Sequence, residues 1–267
     1  MKKVIKTLMH KCFPRHWMKL SRWRWLRRVG GQKVLATGVI CNVDTFDDWL
    51  IFHEIFELKA YEKALTFWLT ASNPNLISTV LDLGGNVGFF SLAVMNSWLG
   101  DGRNPRYLDI LSIEPSPLNF EAMAVHAQKN AELGVSWRRV NALAGRRAGN
   151  EYLGSAEGHY AFSVGAKKSK FAFRAEYKDL DPLTASWQEI SLLKCDIEGS
   201  EIDLLENYAD LLARTKLFCV EIHGAERIPI VLEKLNQLGF EEVMILGEAN
   251  GPNGLAKTML FQRSRCN

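Results

Sequence analysis

From residue 78 onward, short apolar runs rich in β-branched residues alternate with segments whose apolar spacing is helical, and this alternation constrains the fold most. Thr79-Val-Leu-Asp-Leu83 reads as a strand, followed by glycines and a helix over 87–98. A second strand, Leu108 to Glu114, leads into a helix from Ser116 to about Leu133, and a third strand covers 135–141. Residues 145–189 carry Gly, Ser and charged residues with local alternation, which reads as a hairpin or irregular excursion. Ile190 to Cys195 is a further strand, with a helix from Ser200 to Ala213 in which Ser200 and Asp203 form the expected capping pair. Leu217 to Ile222 follows, then a helix over 226–238 stopped by Gly239, and β-like runs at 240–246 and 257–263. Such alternation implies a doubly wound α/β domain whose mostly parallel sheet is covered on both faces. In these sheets ligands sit beyond the carboxyl ends of the strands, where strand order reverses.

Charge divides the chain unevenly. Residues 1–43 hold eleven Lys or Arg and no acid, leaving 22 basic against 30 acidic residues in the remainder. We therefore expect a basic N-terminal arm over 1–43, a helical lead-in over 44–77 and one domain over 78–267. In the arm, Val4, Ile5, Leu8, Met9 and Cys12 share a helical face until Pro14, and Trp17, Trp23 and Trp25 interleave with Arg residues. Basic residues beside Trp suit peripheral contact of residues 1–28 with an anionic membrane. Packing on the acidic body or on a second copy of the chain is the plainer alternative. Five scattered cysteines without a C-x-x-C pair fit a reducing compartment. Lys6, His10 and Lys11 interrupt the first apolar residues, so no secretory signal is expected and the compartment read is cytoplasmic.

Three segments carry chemistry. In Leu81-Asp82-Leu83-Gly84-Gly85-Asn86-Val87-Gly88 a strand ends on an acid and a glycine turn opens a helix. Asn86 stands where a dinucleotide fingerprint needs its second glycine, and the Lys-Ser/Thr ending of a P-loop is missing. The pattern resembles instead the first motif of class I methyltransferases, Rossmann-like enzymes in which Asp82 would help hold the methionyl ammonium of S-adenosylmethionine and Gly84, Gly85, Asn86 and Gly88 would pass close to it. Ile113-Glu114-Pro115 ends the next strand with an acid able to accept hydrogen bonds from ribose hydroxyls. The third segment joins Asp196-Ile-Glu-Gly-Ser-Glu201 to Glu221-Ile-His223, where strand alternation sets Glu221 and His223 on one face near Asp196. Glu198 and Glu201 read equally as dipole partners of the helix that follows.

The stretches VLDLGGNVGFFSLA, SIEPSPLNFEAMAVHAQKN, LLKCDIEGSEIDLLENYADLL and FCVEIHG together resemble the FkbM family of methyltransferases, over roughly 78–224. Gly85 in place of the common alanine and Cys195 in place of Ile or Val are mild departures. The resemblance implies S-adenosylmethionine as cofactor, bound through Asp82, the glycine turn, Glu114, Pro115 and Asp196, and methylation of a hydroxyl on a sugar, glycan or natural product. It also carries over Glu62 as an acid near the cofactor. An alcohol is a weak nucleophile, so a base or a metal is expected. The base read here is His223, oriented or charged by Glu221, with Asp196 near the acceptor hydroxyl. The alternative is a divalent ion such as Mg²⁺ on Asp196, Glu221 and His223. A nucleic-acid methyltransferase is a rival reading encouraged by the basic arm, but Asp196-Ile-Glu-Gly199 replaces the Asp/Asn-Pro-Pro-aromatic motif of exocyclic-amine enzymes, and no Pro-Cys dipeptide occurs. A cofactor-binding scaffold without activity is a third.

Overall fold

The computed structural model describes residues 27–146, 149–154, 163–164, 172–251 and 254–264. The helical pattern over 4–12 and the Trp/Arg segment before Leu26 lie outside them. The first elements are a hairpin, β1 (Gly31–Val34) and β2 (Ile40–Val43), then α1 (Phe46–Phe52), which Thr45 and Asp48 open with a capping box and which runs on as a π-turn over His53–Glu57. Helix α2 (Glu62–Ala71) completes the lead-in.

The body holds β3 (Ser78–Leu83), α3 (Phe89–Gly100), β4 (Leu108–Ile113), α4 (Pro117–Lys129) and β5 (Ser136–Val140). The excursion forms a small separate sheet of β6 (Leu143–Ala144), β7 (Asn150–Gly154), β8 (Ser163–Val164) and β9 (Phe173–Lys178), ordered β6-β9-β7-β8. After α5 (Leu180–Thr184) come β10 (Leu192–Cys195), α6 (Glu201–Asn207), α7 (Ala209–Ala213), β11 (Leu217–His223), α8 (Ile228–Gln237), β12 (Phe240–Gly251) and β13 (Gly254–Arg263).

The main sheet has seven strands in the order β12-β13-β11-β10-β3-β4-β5. Strands β11, β10, β3, β4 and β5 pair in parallel, and β13 runs against both its neighbours. Strand β3 is buried along its whole length, and its residues alternate between two cores. Val80 packs with α2, α3 and the hairpin, and Leu81 and Leu83 pack with α6, α7 and α8. In the first core Trp68 and Trp98 are fully buried with ring centroids 5.4 Å apart, their indole N–H groups bonded to Ser191 Oγ and the Asn104 carbonyl. Burial of a large apolar side chain of this kind contributes roughly 1.5–3 kcal/mol.

Three expectations need correction. The arm expected over 1–43 is body from Gly31 on, because Val39, Cys41 and Val43 of the hairpin are fully buried in the first core. The helix expected over 200–213 breaks at Tyr208 (φ −125°, ψ 41°), whose ring is buried and whose hydroxyl accepts the Leu180 N–H. Ser200 starts α6 without capping it through its side chain. Among the described residues no helix is long and apolar enough to cross a membrane.

Candidate functional site

The chain moves from β3 outward to β4 and β5, then returns to lay β10 on the other side of β3, so strand order reverses between β3 and β10. A cavity of about 410 Å³ opens at the carboxyl ends of these strands, within the range of small-ligand sites. Gly84, Asn86, Glu114, Pro115, Asp196 and Glu198 line it, and Leu153 and Tyr177 of the small sheet form a facing wall.

The glycine turn is built for close approach. Gly84 has φ +75°, and a Cβ there would fall 1.8 Å from the Asp196 carbonyl oxygen, so the turns after β3 and β10 meet only if this residue is glycine. Gly85 and Gly88 turn the other way: a Cβ on either would press on Met123, and on Gly88 also on Trp137. They serve packing against α4, and neither lines the cavity. Glu114 is 4% exposed and holds the turn from the neighbouring strand. Its Oε2 accepts the Asn86 N–H and its Oε1 the Ser116 N–H, both at 2.8 Å. Burial raises its pKa to about 7, against the lowering effect of these hydrogen bonds and of Lys194.

Asp82 does not face the cavity. It is 0% exposed, lying under the turn, where Oδ2 accepts from Ser91 Oγ at 2.8 Å and Oδ1 is 3.6 Å from Lys194 Nζ. Ser112 links Ser91 to the Trp137 indole, giving a buried polar chain beneath the glycines. In the ligand-free chain Asp82 thus stands as the counter-ion of Lys194 beneath the turn. Burial pushes the Asp82 carboxyl up, opposed by Lys194 and Ser91. Burial works against the charge of Lys194, yet Asp196 and Asp82 outweigh it and keep its ammonium well above the usual range. That ammonium donates to the Gly84 carbonyl at 2.7 Å and lies 3.5 Å from Asp196 Oδ2.

Beside the cavity the two remaining segments converge on His223. Its Nδ1–H donates to Glu201 Oε1 at 3.0 Å, and its Nε2 lies 3.5 Å from Glu198, 3.6 Å from Glu221 and 3.8 Å from Asp196. The residue that orients the ring is therefore Glu201, buried and also accepting the Gly199 N–H at 2.9 Å, rather than Glu221. Glu221 accepts from Thr258 on β13. Burial works against a charged His223, but Glu201, Asp196, Glu198 and Glu221 together raise its pKa to about 9. An imidazole so held keeps its proton at neutral pH, which does not suit the base expected from the sequence. Burial, then Asp196, brings Glu198 up to about 7 and also raises Glu221. Glu62 does not line the cavity: its side chain is half exposed and pairs with Lys59 at 2.5 Å. Its neighbour Tyr61 is buried, and after burial the charges of Glu221 and Asp196 push its hydroxyl furthest up.

Solved structures share this fold. The chain aligns with the METTL16 methyltransferase domain at a TM-score of 0.50 and 9% identity, over 96% of this chain and 94% of that one. The fold is that of the class I methyltransferases. Magnesium protoporphyrin IX methyltransferase from Synechocystis PCC 6803, crystallised with S-adenosylmethionine, aligns at 0.47 and 12% identity over 98% and 97% of the chains. A methyltransferase FkbM from Methylobacillus flagellatus KT aligns at 0.46 and 15% identity, over 70% of this chain and 43% of that one. No family model and no curated protein matches the sequence. Within the class I methyltransferase fold, three residues of this site are ones that motif and spacing alone do not single out. Lys194 shows in the sequence only as a lone cation inside an apolar strand, which is its one signal. Glu201 is hidden by the helix it opens, where an acid reads as a dipole partner, and Tyr61 by the more conspicuous acid after it.

Proposed function

We propose that the chain is an S-adenosylmethionine-dependent methyltransferase of FkbM type that methylates a hydroxyl of a sugar, glycan or natural product. The observation that carries this reading is the cavity at the strand-order reversal, floored by Gly84 and Asn86 and walled by Glu114. The group fits the residues present: the cradle at Gly84 excludes any side chain, and the carboxylate of Glu114 keeps acceptor capacity beyond its two backbone donors. Glu114 would accept both ribose hydroxyls, and the backbone of the glycine turn would lie along the ligand. When bound, S-adenosylmethionine supplies an electrophilic methyl on sulfur. Asp196 and Glu198, which line the same cavity, would orient the acceptor hydroxyl and take its proton.

Neutral acceptors suit the site better than anionic ones. Asp196, Glu198 and Glu221 would repel a phosphate backbone, which counts against a nucleic-acid substrate. Calorimetric titration with S-adenosylhomocysteine tests the cofactor, and labelled methyl transfer to a panel of sugars and polyhydroxylated compounds tests the acceptor. Tight binding of NAD with none of S-adenosylhomocysteine would overturn the reading.

A further inference from the structure

We propose that Asp196, Glu221 and His223 hold one divalent cation at the edge of the cavity. For the role of the ion this rests on the methyltransferase reading, but binding itself does not. One donor atom from each residue lies within 4.8 Å of the other two. The His223 Nε2 stands 3.6 Å from Glu221 Oε1 and 3.8 Å from Asp196 Oδ1, with Glu198 Oε2 at 3.5 Å on the same side. These separations exceed hydrogen-bond reach. They approach what donors sharing an ion need, since ligands about 2.1 Å from a metal lie about 3.0–3.4 Å from one another. Inward rotation of the side chains from separations of up to 4.8 Å would close the set.

A residue outside the ligand set points to the same occupant. Glu201 is 1% exposed, and its Oε2 has no hydrogen-bond partner among the described residues. Its carboxylate is aimed at the far side of the imidazole, 3.0 Å from Nδ1. A buried acid there holds the proton on Nδ1, so that a metal would displace the proton that the imidazolium carries on Nε2, the arrangement that orients metal-bound histidines. In the metal-free chain the charge of Asp196 is met by Lys194, 3.5 Å away and shared with Asp82 at 3.6 Å, and by the imidazolium of His223, whose proton a cation would replace. Carboxylate oxygens with a single imidazole favour Mn²⁺ or Mg²⁺ over metals that prefer thiolate.

The ion would acidify an acceptor hydroxyl bound to it. The O–H bond breaks with its proton passing to Glu198, the oxygen pair forms the new O–C bond, and the C–S bond of the cofactor breaks to leave a neutral thioether. Mn²⁺ is the probe. The full chain, stripped with chelator and dialysed, is titrated with Mn²⁺, and free ion is read by electron paramagnetic resonance while circular dichroism reports the fold. We expect one Mn²⁺ per chain, and about a tenfold or greater loss of affinity in Asp196→Asn and in Glu221→Gln. Glu201→Gln should weaken binding about 10–100-fold without removing a ligand. A folded wild-type chain that leaves Mn²⁺ free overturns the proposal, as do folded Asp196→Asn and Glu221→Gln variants that bind it undiminished. A parallel titration with S-adenosylhomocysteine separates the two readings. If that molecule binds and Mn²⁺ does not, the metal site falls and the methyltransferase reading stands. If Mn²⁺ binds and that molecule does not, the metal site stands and the methyltransferase reading falls.

Discussion

Burial raises the Glu114 pKa from 4.5 to about 7, which ties stability and, on the proposed function, cofactor binding to pH. A carboxyl raised on folding contributes stability that is full below its unfolded pKa and lost as pH rises through the folded one. Between pH 4.5 and about 7 the ligand-free protein should therefore lose up to about 3 kcal/mol through this residue. Urea melts across that window should show a smaller loss in Glu114→Gln than in the wild type, the remainder coming from Glu198 and Glu221. Binding of S-adenosylhomocysteine should run the other way, strengthening toward pH 7 as the carboxylate becomes charged, with a flat profile in the variant. Lys194 presents the converse case, because Asp82 is fully buried beside it. Lys194→Met should cost about 3–5 kcal/mol by leaving that acid without its partner. Adding Asp82→Asn should recover part of the loss in denaturant melts. The sequence indicates where along a strand these acids stand, but not which neighbour they meet. Asp82 and Lys194 are register partners on adjacent strands, and that pairing exists only once β10 has returned beside β3.

Elements are more legible than side chains. The apolar runs that become β3, β4, β10 and β11 are bounded by acids or glycines, so their ends are visible as changes of composition. The hairpin β1–β2 is not, since its strands have four residues each and lie in a segment whose charge dominates any reading. Its position depends on α4. Asn130 accepts the Ile40 N–H and donates to the Ile40 carbonyl, and His126 Nε2 accepts the Asn42 N–H while its Nδ1–H donates to the Val87 carbonyl in the glycine turn. Asn130→Ala strands both polar groups of Ile40 and should cost about 2–3 kcal/mol. Hydrogen exchange should show the Ile40 and Asn42 amides losing protection before those of β3. The break of the long helix at Tyr208 is likewise invisible to periodicity, because a buried tertiary contact sets it.

At the scale of the molecule, basic residues crowd residues 1–43 while the rest carries an excess of acid. If residues 1–28 meet an anionic membrane, the full chain should float with anionic liposomes at low salt and a version lacking those residues should not. Failure of the full chain to float would assign the segment to a protein contact. A different consequence follows from strand β13, which lies inside the sheet between β11 and β12 although it is made after both. As a ribosome produces the chain, β11 is left with one open edge until residues 254–263 appear, and Glu221 waits equally long for Thr258. The cavity at the strand-order reversal, lined by residues up to Tyr208, can take shape earlier. Nascent chains stalled before residue 254 should therefore expose an unpaired sheet edge to chaperones, whatever the state of the cavity.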